Sequence, residues 1–404
     1  MTLQEASSNS ASSATAPQSI LTERVAAVKI QSFHPSDRKL TQQFVDLVWD
    51  LYDQKRYPQW VPPLRMAVHE ALDTVKNPFY KRAEIQLFLA EKNGKQVGRI
   101  AAIDNRAHNE FHQDQAGFYG FFECVDDASV ASALFHAAGE WLKNRGKDKM
   151  VGPMNPSTNH ECGLLVRGQS QHPTLMTTWN PAYYVGLHES LGFSQAKDLV
   201  AYWLPTEKIA ELPPKLEQYV QKIRKESRIT FRDFDTKNFE REVEICFDIY
   251  NSAWEKNWGF FPMSREEFFF AAKDMKLALD PNFAFIAEVD GKPAGFMLAL
   301  PDMNHIFKRI PNGKLFPTGL FKLLFGRKLL KTVRIITLGV KPEFRGSGIF
   351  ALFTYEAFQR GKRKQLVGGE ASWILEDNEA MNKPWRDLGA PLYRRWRIYE
   401  RPLT

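Results

Sequence analysis

The sequence has few of the features that mark membrane-spanning or disulfide-stabilised proteins. None of its apolar runs approaches the roughly 20 residues that a helix needs to cross a bilayer. The 404 residues include only three cysteines, Cys124, Cys162 and Cys246, whose spacing fits neither a disulfide framework nor a zinc site. We therefore expect a protein of the reducing cytoplasm, with structural cysteines and no bound metal.

The start of the chain also lacks the pattern of a signal peptide, because no basic segment precedes an apolar core. Its first residues are instead rich in Ser and Ala, a composition typical of disordered segments. We predict a disordered tail over residues 1–22.

The composition predicts a globular protein with an anionic partner. The chain is 44% hydrophobic and 25% charged, as globular proteins usually are, and its 404 residues are enough for two domains. The formal net charge of +7 favours CoA, nucleic acid or anionic lipid as a partner. No recognised nucleic-acid-binding module accompanies the charge, so we expect no nucleic acid.

An internal repeat divides the chain. The segment LFLAEKNGKQVGRI, which starts at Leu87, is similar to AFIAEVDGKPAGFM, which starts at Ala284, at a constant offset of 197 residues. Each segment alternates apolar and small residues around an Asn-Gly or Asp-Gly pair, which predicts a β-hairpin with a tight turn. The same offset aligns Leu191-Gly192 with Leu388-Gly389. We infer two copies of one domain.

The boundary between the copies is predicted after residues 199–204, where three prolines interrupt the apolar pattern, at positions 205, 213 and 214. The N-terminal copy then spans residues 23–205 and the C-terminal copy residues 206–404. Interleaved strands and helices in each copy predict tandem α/β domains, each with a mixed sheet. In the C-terminal copy, residues 238–254 and 265–279 are predicted helices.

The C-terminal copy contains a candidate phosphate site. The apolar, β-branched run from Arg334 to Val340 predicts a buried strand, and residues 351–365 have a helical pattern. The loop RGSG, from Arg345 to Gly348, lies between them, where glycines let the backbone approach a ligand and the helix N-terminus favours phosphate. Arg345 adds a cation. The alternative is a glycine-rich turn that binds nothing.

The N-terminal copy lacks such a loop. Its predicted strand, Gly117 to Val125, runs directly into Asp126, Asp127 and a predicted helix. Two carboxylates at a helix N-terminus form a favourable cap and an unfavourable phosphate site. We predict that this copy does not bind CoA, and that it shapes the acceptor site or supports the other copy.

The string from Val340 to Ile349, V-x-P-x-F-R-G-x-G-I, resembles motif A of the GNAT N-acyltransferases. The resemblance implies a mostly antiparallel sheet flanked by helices in each copy, acyl-CoA as co-substrate, and a splayed strand whose backbone N–H groups hold the thioester. The implied acyl-CoA-binding residues are Leu338, Val340, Arg345, Gly346, Ser347, Gly348 and Ile349. The sequence departs from the pattern at Phe350, where the family usually has Gly or Ala.

A second GNAT-like landmark follows. Asn378, Trp385 and Gly389 have the spacing of an Asn, a Tyr and a Gly in the family. The resemblance implies that Asn378 lies near the pantetheine arm and that Trp385 replaces the usual general-acid Tyr. Because an indole N–H is not acidic enough for this role, we expect the acid to be Tyr393 or a water molecule.

Acyl transfer to an amine also requires a base, which in this design is often a carboxylate. Glu370 is the candidate, because it lies in the predicted strand that leads to Asn378, and the alternative is a salt-bridged or surface Glu. His160 and Glu161 of the N-terminal copy form a second candidate pair, provided that the two copies share a cleft. A buried structural histidine is the alternative for His160.

Longer strings carry a narrower resemblance. They are WVPPL from Trp60, VGRIAAI from Val97, GFFECVDD from Gly120, VGPMNPSTN from Val151, NSAWEKNWGFFPM from Asn251 and SWILEDN from Ser372. Together they resemble the YghO-like family, which includes bacterial ceramide synthase, from about Trp49 to the C-terminus. The resemblance implies transfer of a fatty acyl group from acyl-CoA to the amine of a sphingoid long-chain base.

A basic and apolar segment fits a lipid substrate. No acidic residue lies between Asp302 and Glu343, and residues 305–334 interleave Lys and Arg with Phe and Leu. Such a segment can lie on an anionic membrane, where each basic residue contributes roughly 1 kcal/mol. We therefore expect a cytoplasmic protein that is peripheral on the inner face of the cytoplasmic membrane. The alternative is a solvated segment whose apolar face packs on the domain.

Two other functions are compatible with the sequence. One is N-acetylation of a small soluble amine or a peptide. The other is a non-catalytic acyl-CoA-binding protein at a membrane, which Phe350 and Trp385 motivate because both change family positions near the thioester.

Overall fold

The computed structural model describes residues 27–209, 214–226 and 228–403, so the tail predicted over residues 1–22 lies outside the described part. The strands within these ranges are β1 (Lys29–Phe33), β2 (Ala83–Lys92), β3 (Lys95–Asn105), β4 (Ala116–Cys124), β5 (Lys149–Gly152), β6 (Met154–Asn155), β7 (Glu161–Cys162), β8 (Leu164–Arg167), β9 (Ser194–Pro205), β10 (Ile229–Asp233), β11 (Ala284–Val289), β12 (Lys292–Pro301), β13 (Thr332–Val340), β14 (Gly368–Leu375) and β15 (Leu392–Pro402).

The helices in the same ranges are α1 (Arg38–Leu51), α2 (Arg65–Leu72), α3 (Arg106–His112), α4 (Ala128–Lys143), α5 (Tyr183–Ser190), α6 (Thr206–Ile209), α7 (Pro214–Glu226), α8 (Phe239–Ala253), α9 (Arg265–Met275), α10 (Asn304–Phe307), α11 (Gly319–Gly326), α12 (Ile349–Arg363) and α13 (Glu379–Asp387). Short 3-10 turns lie at Pro78–Lys81, Thr236–Asn238, Pro281–Phe283, Arg327–Leu329 and Pro342–Phe344. The helices predicted over 238–254 and 265–279 are therefore confirmed as α8 and α9, although α9 ends a few residues earlier.

The strands form one large mixed sheet, in the order β1-β2-β3-β4-β5-β15-β9-β14-β13-β12-β11-β10, with β8 also paired to β15. The pairs β4–β5 and β13–β14 are parallel, and the other described pairs of this sheet are antiparallel. β6 and β7 form a separate two-stranded sheet. The predicted α/β class, with a mostly antiparallel sheet, is confirmed.

Helices cover both faces of this sheet. In β11, Ile286 packs with Ile249 of α8, whereas its neighbour Phe285 packs with Phe353 of α12. The same arrangement recurs in the N-terminal copy, with α1 on one face and α4 on the other. Successive residues of a strand point to opposite faces of the sheet. In each copy, one face is therefore covered by the earlier helix, α1 or α8, and the other face by the later helix, α4 or α12.

The predicted hairpins are present in both copies. The turn between β2 and β3 has positive φ at Asn93 (55°) and Gly94 (74°), and the turn between β11 and β12 has positive φ at Asp290 (51°) and Gly291 (75°). Tight hairpin turns require positive φ at both central residues, which Asn, Asp and Gly tolerate best. The two copies therefore share the local geometry that the repeat predicts.

The last strands of the two copies are exchanged between them. β9, which ends the N-terminal copy, pairs with β14, and β15, which ends the C-terminal copy, pairs with β5. β9 and β15 also pair with each other, and Leu199 lies opposite Trp396, its own counterpart at the offset of 197. The division of the chain at residues 205 and 206 stays a prediction, and the sheet itself runs through both copies.

Each copy has one long connection that the other copy lacks. Residues 153–182 join β5 to α5 in the N-terminal copy, whereas residues 376–378 join β14 to α13. Residues 302–331 join β12 to β13 in the C-terminal copy, whereas residues 106–115 join β3 to β4. The N-terminal copy is longer at the first of these connections, and the C-terminal copy is longer at the second. The two differences nearly cancel, so the offset of 197 residues recurs near the end of each copy.

Candidate active site

The parallel strands β13 and β14 diverge near their carboxyl ends. They pair only from Thr332 opposite Gly368 to Ile335 opposite Ala371. Beyond that point β13 continues to pair with β12 on its other side, and β14 continues to pair with β9. The backbone of residues 336–340 that faces β14 is thereby left free of strand pairing and lines a cleft.

A cavity of about 1170 Å³ occupies this cleft and extends beyond it. Its walls include residues 334–340 of β13, the loop 344–348 with the start of α12, and residues 371–375 of β14. Residues of α8 and α9 form a further wall, and residues 158–160 of the N-terminal copy form another. Both copies therefore contribute to a single cavity.

The glycine-rich loop lies at one end of the cavity. Gly346 and Gly348 have φ values of 80° and 94°, and α12 begins at Ile349 without a side-chain cap. A Cβ built at Gly348 would lie 2.3 Å from Ile223 Cδ1 of α7, so a side chain there would displace Ile223 in addition to straining the positive φ. The first turn of a helix exposes unpaired N–H groups at the positive end of its dipole, which favours an anion.

Arg345 is exposed beside this loop. Its Nη2 donates to the carbonyl oxygen of Ala253, at the end of α8, at 2.8 Å. This contact holds the guanidinium at the mouth of the cavity, which Lys256 also lines. The end of the cavity that contains the loop is therefore basic, as a phosphate site requires.

Four buried polar groups on the cavity wall lack a hydrogen-bond partner among the described residues. They are Thr337 Oγ1, Ser347 Oγ, Trp373 Nε1 and Trp385 Nε1. Leaving such a group unpaired costs about 1–3 kcal/mol, so native proteins usually satisfy buried polar atoms. A ligand that carries both donors and acceptors, such as the amides and phosphates of acyl-CoA, fits this wall.

The two residues that depart from the GNAT pattern contact each other. The rings of Phe350 and Trp385 lie 5.8 Å apart, edge to face, with 64° between their planes. Trp385 is fully buried, and both residues line the cavity. The large ring at each of these two positions packs against the ring at the other, so the two departures from the family pattern are coupled through packing.

Asn378 lies on the cavity wall and caps α13, where its side-chain oxygen accepts from the backbone N–H of Met381 at 3.3 Å. Leu338, Val340 and the residues from Arg345 to Ile349 line the same cavity. The structure thus brings together the residues predicted to bind acyl-CoA, together with Asn378. Their roles toward the ligand stay predictions.

Glu370 and Tyr393 lie outside the cavity wall. Neither side chain lines the cavity, and Glu370 is fully buried, with Oε1 accepting from Thr174 Oγ1 at 2.6 Å. Its Oε2 accepts from Arg394 at 3.1 Å and from the Tyr393 hydroxyl, and burial raises the pKa of that hydroxyl. This geometry favours the salt-bridged alternative for Glu370 over general-base catalysis.

His160 does line the cavity. Its Nδ1 lies 2.8 Å from Ser157 Oγ, and burial lowers the pKa of the imidazole to about 4, so the ring is neutral near pH 7. Glu161 follows in β7, is not part of the cavity wall, and has a pKa raised by burial, which Arg334 opposes. The predicted pair is therefore separated, with only His160 at the cavity.

An apolar arm of the cavity was not identified from the sequence. It is formed by α8, α9 and the strands beneath them, and its lining includes Phe239, Val243, Cys246, Phe268, Ala271, Ala272, Met275 and Leu279. The helical spacing of these residues was visible in the sequence, but spacing does not tell a cavity wall from a filled core. The arm reaches the surface at Lys276, which is exposed beside Leu277.

The segment 305–334 divides into two parts. Ile306, Ile310 and Leu323 are buried, and Arg334 is 2% exposed and donates to the carbonyl oxygens of Leu175 and Met176. The inclusion of Arg334 in a surface segment is therefore corrected, because it lies inside β13. The exposed apolar residues are Phe316, Phe321, Leu324, Phe325 and Leu329, each between 58% and 73% exposed.

Neither of two further features is found in the part of the chain that the structure describes. No helix there combines the length and apolar character needed to cross a membrane. Likewise, no cluster of three or more His, Cys, Asp or Glu residues there is arranged to hold a metal ion. The expectation of a metal-free site stays an expectation.

Comparisons with known proteins agree with the geometry. Residues 243–390 match the family described as Acetyltransferase (GNAT) family. The chain is 35% identical to Protein YghO of Escherichia coli (strain K12) over 352 residues, covering 86% of this chain and 89% of that protein. It is 34% identical to Bacterial ceramide synthase of Caulobacter vibrioides (strain NA1000 / CB15N) over 353 residues, covering 86% and 91%.

Solved structures show the same fold. A tandem GNAT protein from the clavulanic acid biosynthesis pathway has a TM-score of 0.55 at 12% identity, covering 93% of this chain and 99% of that chain. A GCN5-related N-acetyltransferase from Sphaerobacter thermophilus has a TM-score of 0.50 at 13% identity, covering 93% and 96%. At such low identity these similarities concern the fold alone.

Proposed function

We propose the function of this chain from its family, since it belongs to the GNAT acyltransferases and, within them, to the family of YghO and bacterial ceramide synthase. The proposed reaction is transfer of a fatty acyl group from acyl-CoA to the amine of a sphingoid long-chain base. The name of the Caulobacter relative supports the ceramide product. The geometry that supports the proposal is one cavity with a basic end at the glycine-rich loop and an apolar arm.

The proposed arrangement assigns each end of the cavity to one part of acyl-CoA. The pyrophosphate lies on the loop from Arg345 to Gly348, at the N-terminus of α12. The pantetheine follows the free edge of β13, where the backbone around Leu338 and Val340 polarises the thioester carbonyl. Long alkyl chains require an apolar enclosure, which the arm between α8 and α9 provides.

In the proposed reaction, the neutral amine attacks the thioester carbonyl carbon and forms a C–N bond. The C–S bond then breaks, the nitrogen loses a proton, and the CoA sulfur gains one, so the products are an amide and CoA thiol. Trp385 stands where the family usually has an acidic Tyr, and an indole N–H does not protonate a thiolate. The leaving thiolate therefore takes its proton from another group or from water.

Release of CoA thiol with different amines distinguishes the three functions compatible with the sequence. With palmitoyl-CoA, we expect a sphingoid base to be acylated far faster than a short amine or a peptide, and mass spectrometry should detect the amide. Faster turnover of acetyl-CoA with the short amine would instead indicate the soluble-amine acetyltransferase. Tight CoA binding without turnover of any amine would indicate a binding protein.

The cofactor end of the cavity is tested by Arg345→Glu. This change removes a cation from the phosphate site and adds a charge that repels the ligand. Hydrogen bonds to charged groups contribute roughly 1.5–3 kcal/mol, so we expect CoA to bind about 10- to 100-fold more weakly in titration calorimetry. Arg363→Glu, at the far end of α12, is the matched control and should bind CoA normally. Equal affinities for the two variants would refute the site.

We further propose that the enzyme docks on an anionic bilayer through residues 314–331, on the inner face of the cytoplasmic membrane. Five large apolar side chains are exposed here, Lys and Arg residues lie among them, and no acidic residue interrupts the segment. The surface adjoins the apolar arm, because Leu279 of the arm packs in one cluster with Leu323 of α11 and accepts a hydrogen bond from Arg327. A lipid substrate would enter there from the bilayer.

Vesicle sedimentation tests this surface with the double variant Phe321→Ser/Phe325→Ser. We expect the wild type to bind vesicles of phosphatidylglycerol and phosphatidylcholine, and to bind phosphatidylcholine alone more weakly. The double variant should lose about tenfold or more of its binding, since inserting one Phe contributes roughly 1.5–3 kcal/mol. Val75→Ser, at an exposed site outside the segment, is the control. Unchanged binding of the double variant would exclude the surface.

A further inference from the structure

The loop that carries His160 is held in place by the C-terminal copy. Thr158 Oγ1 donates to the carbonyl oxygen of Gly259 at 2.7 Å, and the Tyr250 hydroxyl donates to Asn159 Oδ1 at 2.9 Å. Tyr250 belongs to α8, and Gly259 lies between α8 and α9. The N-terminal insertion 153–182 is therefore fastened to the side of the cavity that faces away from α12.

In the proposed arrangement the acceptor amine reaches the thioester from this side, which also carries the apolar arm. The glycine-rich loop leads into α12, so the proposed CoA site lies on the α12 face of the sheet, whereas α8 covers the opposite face. His160 lies on the cavity wall with its Nδ1 beside Ser157 Oγ, which is itself buried. Among the described residues no group forms a hydrogen bond with its Nε2, so the hydrogen-bonding capacity of this atom is unused by the protein.

Other titratable groups on the cavity wall do not fit the role of a base. Among the described residues of the cavity wall, the carboxylate belongs to Asp377. Lys197 Nζ lies 2.6 Å from Asp377 Oδ2 and lowers the pKa of this carboxyl group. Cys162 and Cys246 are buried, which raises the pKa of each thiol and keeps it protonated. The Tyr250 hydroxyl already donates to Asn159. The wall also carries Lys256, Lys276, Arg334 and Arg345, which are cationic, and Tyr219 at the glycine loop.

We infer that the N-terminal copy supplies the general base of the proposed reaction, with Nε2 of His160 taking the proton from the acceptor amine. In the tautomer that this role needs, Nδ1 donates to Ser157 Oγ and Nε2 carries the lone pair. Ser157 is then a positioning residue. The inference rests on the proposed function, because it requires an amine and a thioester in this cavity.

In this step one proton moves from the amine nitrogen to His160 and then to the CoA sulfur. As the amine lone pair becomes the C–N bond, the nitrogen loses its basicity and its N–H proton becomes acidic. A neutral imidazole of low basicity therefore suffices to accept that proton. The C–S bond breaks, and the imidazolium returns the proton to the thiolate sulfur directly or through water. The products are the amide, CoA thiol and neutral His160.

Steady-state kinetics of His160→Gln test the inference. General-base catalysis contributes about 10²- to 10⁴-fold, so we expect kcat to fall by at least about 100-fold while CoA affinity and melting temperature stay at wild-type values. Ser157→Ala should lower kcat by about tenfold, because it loosens only the orientation of the ring. His136→Gln, an exposed histidine of α4, is the matched control and should retain full activity.

Rescue by added imidazole separates a base from a purely structural histidine. In His160→Gly, imidazole should restore part of kcat in proportion to its concentration, and it should leave the wild type unaffected. A His160→Gln variant with kcat within threefold of wild type, or a His160→Gly variant that folds but is not rescued, would overturn the inference while the proposed function stands. A wild type that acylates no amine would instead overturn the proposed function.

Discussion

The parallel pair β4–β5 of the N-terminal copy diverges as β13–β14 does in the C-terminal copy, but its gap is closed. β4 and β5 pair from Ala116–Lys149 to Phe118–Val151, and the chain then turns into the gap at residues 153–155. Asn155 Oδ1 accepts from the backbone N–H of Phe121 at 2.6 Å. In the C-terminal copy, the chain after β14 leads to α13, and the gap faces the cavity.

The two gaps differ in what satisfies their exposed backbone groups. A splayed strand exposes backbone N–H groups, and these groups need acceptors. The N-terminal copy provides a side-chain amide from its own insertion, and Asp127 caps its helix α4 by accepting from the backbone N–H of Ser129 at 2.9 Å. Among the described residues of the C-terminal copy, α12 has no side-chain cap and no segment fills the gap, which supports the prediction that this copy alone binds CoA.

The largest difference in stability between the two gaps is expected when one glycine in each splayed strand is replaced by alanine. A Cβ built at Gly120 would lie 1.7 Å from the backbone oxygen of Met154, whereas one built at Gly339 would meet the Trp254 ring at 2.3 Å. A backbone atom in a filled gap cannot move cheaply, but a ring beside a cavity has room. We expect Gly120→Ala to lower the free energy of unfolding by about 3 kcal/mol and Gly339→Ala by about 1 kcal/mol.

Urea denaturation of the two alanine variants measures this difference. Equal destabilisation would contradict a filled gap in one copy and an open gap in the other. Both variants should be compared with Gly146→Ala, where positive φ adds strain but no atom lies within 4 Å of the built Cβ.

An intermediate effect is expected from removing the amide that fills the N-terminal gap. Asn155→Ala leaves the Phe121 N–H without its acceptor, which should cost roughly 1–3 kcal/mol of unfolding free energy. Asn155→Asp keeps an acceptor oxygen and should lose less. Titration calorimetry should still find one CoA per chain, because α4 remains capped by Asp127. A second CoA in the alanine variant would show that Asn155 alone closes the site.

The smallest effect is expected from Phe350 and Trp385, the two residues beside the open gap that depart from the GNAT pattern. Phe350→Ala restores a residue usual in the family and Trp385→Leu replaces the indole by an aliphatic side chain, so each change removes one side of the ring contact. Aromatic pairs contribute roughly 0.5–1.5 kcal/mol beyond burial, so a double-mutant cycle on unfolding free energy should give a coupling of that size. Strictly additive effects would mean that the two departures are independent.

Features that depend on a few neighbouring residues were predictable. The Asn-Gly and Asp-Gly turns were found because positive φ is a local demand, and α8 and α9 because helical periodicity is local. The glycine-rich loop was found for the same reason. Its place at the head of α12 follows from a strand and a helix that adjoin it in the chain.

Features that depend on distant contacts were not predictable. The place of Glu370 in a strand makes it a candidate base, but strand alternation does not tell which face of the strand meets a cavity. Its carboxylate meets Thr174 and Arg394 instead, from segments almost 200 residues and 24 residues away. The apolar arm was missed because packing, not spacing, decides whether a row of apolar side chains encloses space.

The sequence by itself determined the repeat, the glycine-rich loop, the missing loop in the N-terminal copy and the departures at Phe350 and Trp385. All of these are properties of short segments or of two segments compared. Only the tertiary structure decided that β9 and β15 are exchanged, that residues 153–155 close one gap, and that His160 reaches the cavity of the other copy. Such contacts join segments far apart in the chain, and burial and backbone pairing select among them only when the whole sheet has formed.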